Sequence, residues 1–285
     1  MSGVLVTRFA PSPTGFLHRG HAYAALSAFD AARKAGGRFL LRIEDIDQTR
    51  CRPEFEAALL EDLAWLGLSW ETPVRRQSDH MADYAQALGR LEAGGLLYRC
   101  FRTRKEIAED ISRAPHGTME AYRGAPLETE EEAQRLARGE PFAWRLSLER
   151  ALKAVGDPDA LAFFEEGQGP NGEHGWIRPQ PQTGGDVVLA RKDVGVAYHL
   201  AVTHDDALQG VTHVVRGLDL FEATHVQRLL QVLLGWPAPV YRHHRLLMRP
   251  DGKRYAKRDT AETLRDLRAG GMEPARLRRE LGFDW

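Results

Sequence analysis

A loop that cannot continue a strand, set between a strand-like run and a helix, constrains this 285-residue chain more than any other feature. Val4–Ala10 is a short apolar run suited to a buried strand. Pro11-Ser-Pro-Thr-Gly15 must leave it, because two prolines and a glycine break a central strand. His21–Ala35 has helical spacing, with Ala25, Leu26, Phe29 and Ala32 on one face and Gly36 placed for a C-terminal cap. Arg38–Glu44 is the next strand-like run. Strand, Gly/Pro loop, helix and strand predict a right-handed βαβ unit whose loop lies at the carboxyl end of the first strand.

Further along, Pro53 opens a predicted helix in which Phe55, Leu59, Leu63 and Leu66 recur at helical spacing, and another helix covers Tyr84–Leu91. From 102 to 182 the chain is charged, then rich in Gly and Pro (167–185), with weak periodicity. It reads as an inserted, looser subdomain. Apolar order returns at Val187–Ala190, Val196–Val202 and His213–Arg216, before a helix at Phe221–Leu234. Asp259 with Glu262 reads as a capping box, and Pro274 as a first-turn residue. The organisation expected is an α/β nucleotide-binding core at 1–101, an insertion at 102–185, the second half of the core at 186–240, and a basic loop with a short helical tail at 241–285.

No apolar run approaches 18 residues, so no transmembrane helix is expected. The opening MSGVLVTRFAPSPTG lacks the pattern of a secretory signal. Cys51 and Cys100 allow one disulfide; two free thiols in a reducing cytosol are expected. A net charge of −1 argues against indiscriminate nucleic-acid binding. Residues 242–285 nevertheless carry 12 Lys/Arg against 7 Asp/Glu, either a solvated face or a basic end that meets phosphate.

Four motifs carry chemistry. The loop Arg8–Gly15 runs into His18-Arg-Gly-His21 at a helix N-terminus, where backbone N–H groups and the helix dipole favour an anion. Gly15 and Gly20 let a ligand approach closely, and both imidazoles can donate to a phosphate oxygen. They could also ligate a metal, but no third ligand lies nearby. Arg42-Ile-Glu-Asp-Ile-Asp47 clusters carboxylates at a strand end, with Glu44 and Asp45 on opposite sides. Tyr198-His-Leu-Ala-Val-Thr-His-Asp-Asp206 precedes Val215-Arg-Gly-Leu-Asp219, where Arg216 offers a planar fork suited to a carboxylate. The basic segment Asp251-Gly-Lys-Arg-Tyr-Ala-Lys-Arg258 contains Lys253 and Lys257, two of only six lysines.

Together these strings resemble the glutamyl/glutaminyl branch of the class I aminoacyl-tRNA synthetases over nearly the whole chain, from Arg8 to about Arg268. Arg8–Gly15 resembles that branch's RFAPSPTG opening and His18–His21 its HIGH-type signature, with Arg19 in place of the usual Ile. Arg42–Asp47 resembles the RIED segment, and 251–258 the mobile KMSKS-type loop, with Tyr255 and Ala256 as departures. The resemblance implies an α/β fold: a Rossmann-type doubly wound parallel sheet with an inserted subdomain and a short helical C-terminal segment. It implies that Glu44 holds the ammonium of a glutamate substrate, that Tyr198, Arg216 and Arg8 hold its carboxylates, and that Ala10 and Ser12 line the same site. It implies that Pro11, Thr14, Gly15, His18, Gly20 and His21 bind ATP, and that Lys257 stabilises the departing pyrophosphate.

The sequence ends 27 residues after Arg258, without the helical anticodon-binding region of a standard glutamyl-tRNA synthetase. That length resembles the short members of the branch. The resemblance then implies tRNA-independent activation of L-glutamate by ATP with Mg²⁺, and transfer to queuosine at the wobble position of tRNA(Asp). Mg²⁺ is expected to arrive with the nucleotide. The basic tail and the insertion are candidates for the tRNA backbone, and no obligate protein partner is evident. Other members carry zinc, but Arg102 and Pro126 stand where two cysteines belong, so no structural zinc is expected. A truncated synthetase charging tRNA(Glu) at its 3′ end, a non-catalytic paralogue, and activation with a non-tRNA acceptor are the competing readings. Retention of His18, His21, Glu44 and Lys257 together speaks against a non-catalytic one.

Overall fold

The computed structural model describes residues 3–103, 105–107, 122–191, 195–248 and 262–285. Strand β1 (Val6–Phe9) is buried along its whole length and pairs in parallel with β2 (Arg38–Ile43), from Val6 opposite Arg38 to Phe9 opposite Leu41. A parallel pair needs a crossover, and helix Arg19–Lys34 supplies it. That helix starts two residues before the expected His21. His18 is extended (φ −126°) and its side chain accepts from the Gly20 amide, while His21 accepts from the His18 amide, a capping box built from two imidazoles. Gly36 follows the helix with φ +60°, as its position suggested.

Strand β2 continues in parallel to β3 (Arg75–Arg76), which precedes helix Met81–Ala93. In the second half, β9 (His213–Gly217) and β10 (Val240–His244) are parallel and joined by helix Phe221–Leu234. The two halves meet at β1 and β9. The Thr212 amide donates to the Val6 carbonyl at 3.0 Å, and the Val6 amide donates to Thr212 Oγ1 at 2.8 Å. The strand order reverses at that seam, so the carboxyl ends of β1, β2 and β9 border one crevice, the place where open α/β sheets bind ligands.

The described parts of the 102–185 segment hold more regular structure than its weak periodicity suggested. Strand β5 (Ala143–Leu146) pairs antiparallel with β4 (Leu97–Cys100) and β8 (Val188–Arg191), so this sheet takes one strand from each flank of the segment. Helices Thr129–Ala137 and Leu148–Val155 accompany it. Strand β6 (Phe163–Glu165) leaves this subdomain altogether and pairs in parallel with β10, with β7 (Gly175–Ile177) antiparallel on its outer edge. Short strands of three or four residues leave too few alternations for a period to show.

At the base of the insertion, Asp186 is buried. Its Oδ2 accepts from the Tyr98 hydroxyl at 2.8 Å and the Gly124 amide at 2.9 Å, and its Oδ1 accepts from the Leu148 amide at 2.9 Å. The neighbouring Cys100 Sγ lies 3.7 Å from the Tyr122 hydroxyl, and the Arg145 guanidinium stacks over the Tyr122 ring. Arg102 and Pro126 are both exposed. One carboxylate thus ties together three separate chain segments. Both cysteines are free thiols, and among the described residues no helix is long and apolar enough to cross a membrane.

The C-terminal helices close the first half of the core. Leu264, Leu267, Leu277 and Leu281 pack with Leu17, Leu59 and Leu63 in one cluster. Helix Leu264–Ala269 is capped by Thr263 with Asp266. Asp259 of the expected box lies outside the described residues, and its Glu262 partner precedes this cap. Pro274 does open the last helix. Arg19, the departure within the signature motif, forms an ion pair with Glu280 at 2.8 Å, so it fastens the final helix to the first one. An Asp186→Ala variant strands buried donors on three segments; it is expected to lose about 2–4 kcal/mol of stability. Equilibrium unfolding checks this, with limited proteolysis reporting whether the insertion opens first.

Candidate active site

The site sits at the seam of the two half-sheets, and a buried charge cluster shapes its floor. Arg42, the penultimate residue of β2, has its side chain fully buried. It reaches Asp206 at 2.8 Å, Glu44 at 3.0 Å and Asp205 at 3.7 Å, the two aspartates lying on helix Tyr198–Leu208. Arg8, from β1, gives Nε and Nη2 to the two oxygens of Asp206 at 2.9 and 3.2 Å. Asp205 is further held by Arg75 Nε at 2.8 Å, Gln77 Nε2 at 2.9 Å and the Tyr84 hydroxyl at 2.8 Å. Burial alone would raise the Asp205 carboxyl. The His204 hydrogen bond, the Arg42 charge and the Gln77 and Arg75 contacts outweigh burial and bring it down to about 2. At Glu44 the balance runs the other way: burial raises its pKa despite Arg42.

Above this floor lies a cavity of about 500 Å³ lined by Arg8, Ala10, His18, Gly20, His21, Glu44, Tyr198 and Arg216, with Gly217 and Asp219 at one side. The structure therefore brings together eight of the residues expected from sequence. Ser12 and Thr14 line a neighbouring cavity of about 440 Å³, which shares Glu44 and Tyr198 and is completed by Asp47, Arg50 and His199. Pro11 and Gly15 line neither of these two cavities. Pro11 acts through its carbonyl, which accepts from the Glu44 amide at 3.1 Å and ties the loop to the end of β2. Lys257 lies outside the described residues.

The chemistry of each wall follows from its hydrogen bonds. Because Nδ1 of His18 accepts from Gly20 and Nδ1 of His21 accepts from His18, each neutral ring carries its proton on Nε2. The two rings stack with centroids 3.8 Å apart, beside the N-terminus of a 16-residue helix. That wall suits phosphate oxygens. The same cavity is lined by Arg216, buried, whose donors go to His243, Gln227 and Thr224, all without a negative charge. Arg8 and Arg42 face carboxylates, whereas Arg216 is met by neutral acceptors. Tyr198 presents a hydroxyl whose ionisation burial opposes, so it remains a neutral hydrogen-bonding group.

The sequence leaves the roles of His204, Asp205 and Asp206 open and gives no sign of Arg42 as a site-builder, although all lie within quoted motifs. Their pairing spans more than 160 residues, as in the 164-residue separation of Arg42 and Asp206. No local spacing signals it. Glu165 and His243, which stand behind Arg216, also escaped notice, because β6 falls in the segment read as looser.

The comparisons with known proteins agree with this geometry. The family described as tRNA synthetases class I (E and Q), catalytic domain, matches residues 4–282. A Glutamyl-Q tRNA(Asp) synthetase of Rhodobacter capsulatus is 50% identical, covering 98% of this chain and 100% of that protein. Its namesake in Symbiobacterium thermophilum is 44% identical over 95% of this chain and 83% of its own. A Glutamate--tRNA ligase 2 of Dinoroseobacter shibae is 40% identical over 95% of this chain but only 59% of its own length. A solved glutamate tRNA ligase from Elizabethkingia meningosepticum, in complex with its amino acid, superposes with a TM-score of 0.73 at 28% identity, over 90% of this chain and 52% of that one.

The charge cluster has a pH signature. A carboxylate whose folded pKa is depressed stabilises the fold above its unfolded pKa, near about 3.9, and loses that contribution as pH falls through the folded value. Asp205, at about 2, and Asp206, also lowered, place the loss between about pH 4 and pH 2. Denaturant unfolding across that window is expected to show a falling stability in the wild type. Asp205→Asn should be less stable at pH 7 and show a shallower slope below pH 4.

Proposed function

From the premise that the chain belongs to the class I tRNA synthetases of the glutamate and glutamine branch, we propose that it activates L-glutamate with ATP, without tRNA, and transfers the glutamyl group to queuosine at the wobble position of tRNA(Asp). The observation that carries the amino-acid half is the cavity itself. An arginine with no carboxylate partner among the described residues, the carboxylates of Glu44 and Asp219, and two imidazole N–H donors at a helix N-terminus line one cavity of about 500 Å³. An acidic amino acid and a polyphosphate fit that division of charge. The acceptor half rests on the match along the full length of the Rhodobacter protein, where the ligases for tRNA(Glu) match over little more than half of theirs.

In this reading Arg216 and Tyr198 take the side-chain carboxylate and Glu44 takes the ammonium. Arg8 keeps only its Nη1 edge for substrate, because Asp206 occupies Nε and Nη2. The α-carboxylate attacks the α-phosphorus of ATP, the bond to the β-phosphate oxygen breaks, and pyrophosphate leaves. His18 and His21 donate through Nε2 to oxygens that gain charge in that step, and Lys257 takes the pyrophosphate. Mg²⁺, when bound with ATP, would neutralise phosphate charge. No group of three His, Cys, Asp or Glu gathers to hold a metal among the described residues. The second cavity meets the first at Glu44 and Tyr198, which gives an acceptor hydroxyl its own approach to the mixed anhydride. The hydroxyl attacks the carbonyl carbon, AMP departs, and the ester remains on the tRNA. The proposed setting is the cytoplasm, where ATP and tRNA are at hand.

Labelled glutamate is expected to pass to tRNA(Asp) bearing queuosine, and neither to the same tRNA with guanosine nor to tRNA(Glu). Label on tRNA(Glu) would instead identify a conventional charging enzyme. Glutamate-dependent ATP–pyrophosphate exchange should proceed with no tRNA present. In that assay His21→Ala is expected to lower kcat by about 10²–10³-fold, the effect of removing one donor from a developing oxyanion.

A further inference from the structure

Behind Arg216 runs a buried chain of hydrogen bonds that the reaction outlined above does not use. Glu165, at the end of β6, is completely buried. Its Oε1 accepts from the Gly167 amide at 2.7 Å and the His243 amide at 2.8 Å, and its Oε2 lies 2.6 Å from His243 Nδ1. On the other side of the ring, His243 Nε2 accepts from Arg216 Nε at 3.1 Å. A guanidinium nitrogen only donates, so Nε2 is bare and the ring proton sits on Nδ1, donated to Glu165. The other Arg216 donors reach Gln227 Oε1 at 2.8 Å and Thr224 Oγ1 at 2.6 Å, and its guanidinium lies 5.4 Å from the centre of the Tyr241 ring.

We propose that Glu165 and His243 are a positioning relay that aims Arg216 at the side-chain carboxylate of the amino acid while leaving its charge uncompensated, and thereby set the preference for an acidic over an amide side chain. The proposal deepens the reading of the same cavity under Proposed function and rests on it. A carboxylate bonded directly to Arg216 would satisfy the guanidinium and compete with the substrate. An arginine with no support would give up the fixed fork geometry that carboxylate recognition needs. One imidazole between the two charges does both jobs: it fixes Nε and keeps the anion at one remove. The backbone is fitted to the arrangement. A Cβ at Gly167 would lie 2.3 Å from the His243 carbonyl oxygen and 2.8 Å from Glu165 Oε1, so only glycine lets this turn close over the carboxylate.

The isosteric variant Glu165→Gln tests the relay, because an amide cannot reproduce its hydrogen bonds. If the amide oxygen stays on the two backbone N–H groups, its NH₂ faces Nδ1. The ring proton then moves to Nε2, where it meets the Arg216 Nε–H donor to donor. In ATP–pyrophosphate exchange with the full chain, the KM for glutamate is expected to rise about 10- to 100-fold, the range for losing one charge-assisted hydrogen bond. The KM for ATP should stay within about twofold, and the preference for glutamate over glutamine should shrink by a similar factor to the glutamate KM change. Gly167→Ala, which moves the same carboxylate without touching substrate, should show the same split. Nitrogen-15 spectra of the histidine rings supply a readout that needs no variant: the wild-type His243 ring carries its proton on Nδ1.

A wild-type ring protonated on Nε2 overturns the relay. So does a Glu165→Gln enzyme with an unchanged glutamate KM, or one whose ATP KM rises equally, which marks a merely structural role. A wild-type protein with no glutamate-dependent exchange overturns the proposed function and the relay together, and that control separates the two failures.

Discussion

Arg42 is the interaction on which the rest of the site depends. A guanidinium with no solvent exposure must be surrounded by compensating charge, and Asp205, Asp206 and Glu44 provide it. Those carboxylates come from the end of β2 and from helix Tyr198–Leu208, on opposite sides of the insertion. Bringing them to one cation locks the second half of the α/β core against the first. Glu44 and Tyr198, in the lining of both cavities, lie at this cluster, and Asp206 is shared with Arg8. Removing Arg42 would leave several buried anions at once, which is why breaking such a cluster costs more than forming it contributes.

The cavity works through a partition of its arginines. Arg8 and Arg42 are matched to carboxylates and act as structure, although they line or underlie the binding site. Arg216 is buried just as deeply among neutral acceptors and an aromatic face, and so keeps its field for a ligand. In the same lining, two stacked imidazoles have their Nδ1 atoms bonded to backbone amides, so each neutral ring carries its proton on Nε2. A buried arginine, two imidazole N–H donors beside a helix N-terminus and the carboxylates of Glu44 and Asp219 line one cavity, a division of charge that suits an acidic amino acid beside a polyphosphate.

Much of this was legible before any coordinates. The Arg8–Gly15 loop, the His18 and His21 pair, Glu44, Tyr198 and Arg216 all announce themselves in short strings, and eight of the expected residues do meet in one cavity. Pro53, Pro274 and Gly36 marked helix ends through their own backbone restrictions. The errors have identifiable causes. The first helix begins at Arg19 because His18 and His21 cap it, and the start is not legible in the sequence because a cap made of two imidazoles is unfamiliar. The insertion looked loose because its strands are three or four residues long. Its clamp, Asp186, precedes a strand in a Gly-rich stretch and gives no sign that Tyr98, Gly124 and Leu148 will gather around it.

Which features can be read along the chain, and which cannot, follows the range of the forces. Helix starts, turn glycines, strand alternation and the chemical character of each motif depend on residues within about four positions of one another, and the sequence states those neighbours outright. The matching of Arg42 to Asp206 across 164 residues, the entry of β6 into the catalytic sheet, and the relay from Glu165 through His243 to Arg216 depend on which groups share a dry interior. In that interior an unpaired charge or donor is too costly to leave, so partners are chosen by the closed fold as a whole. The sequence carried the ingredients of an acid-selective site; closure of two half-sheets around a buried arginine decided which of them would hold the structure and which would be left for the substrate.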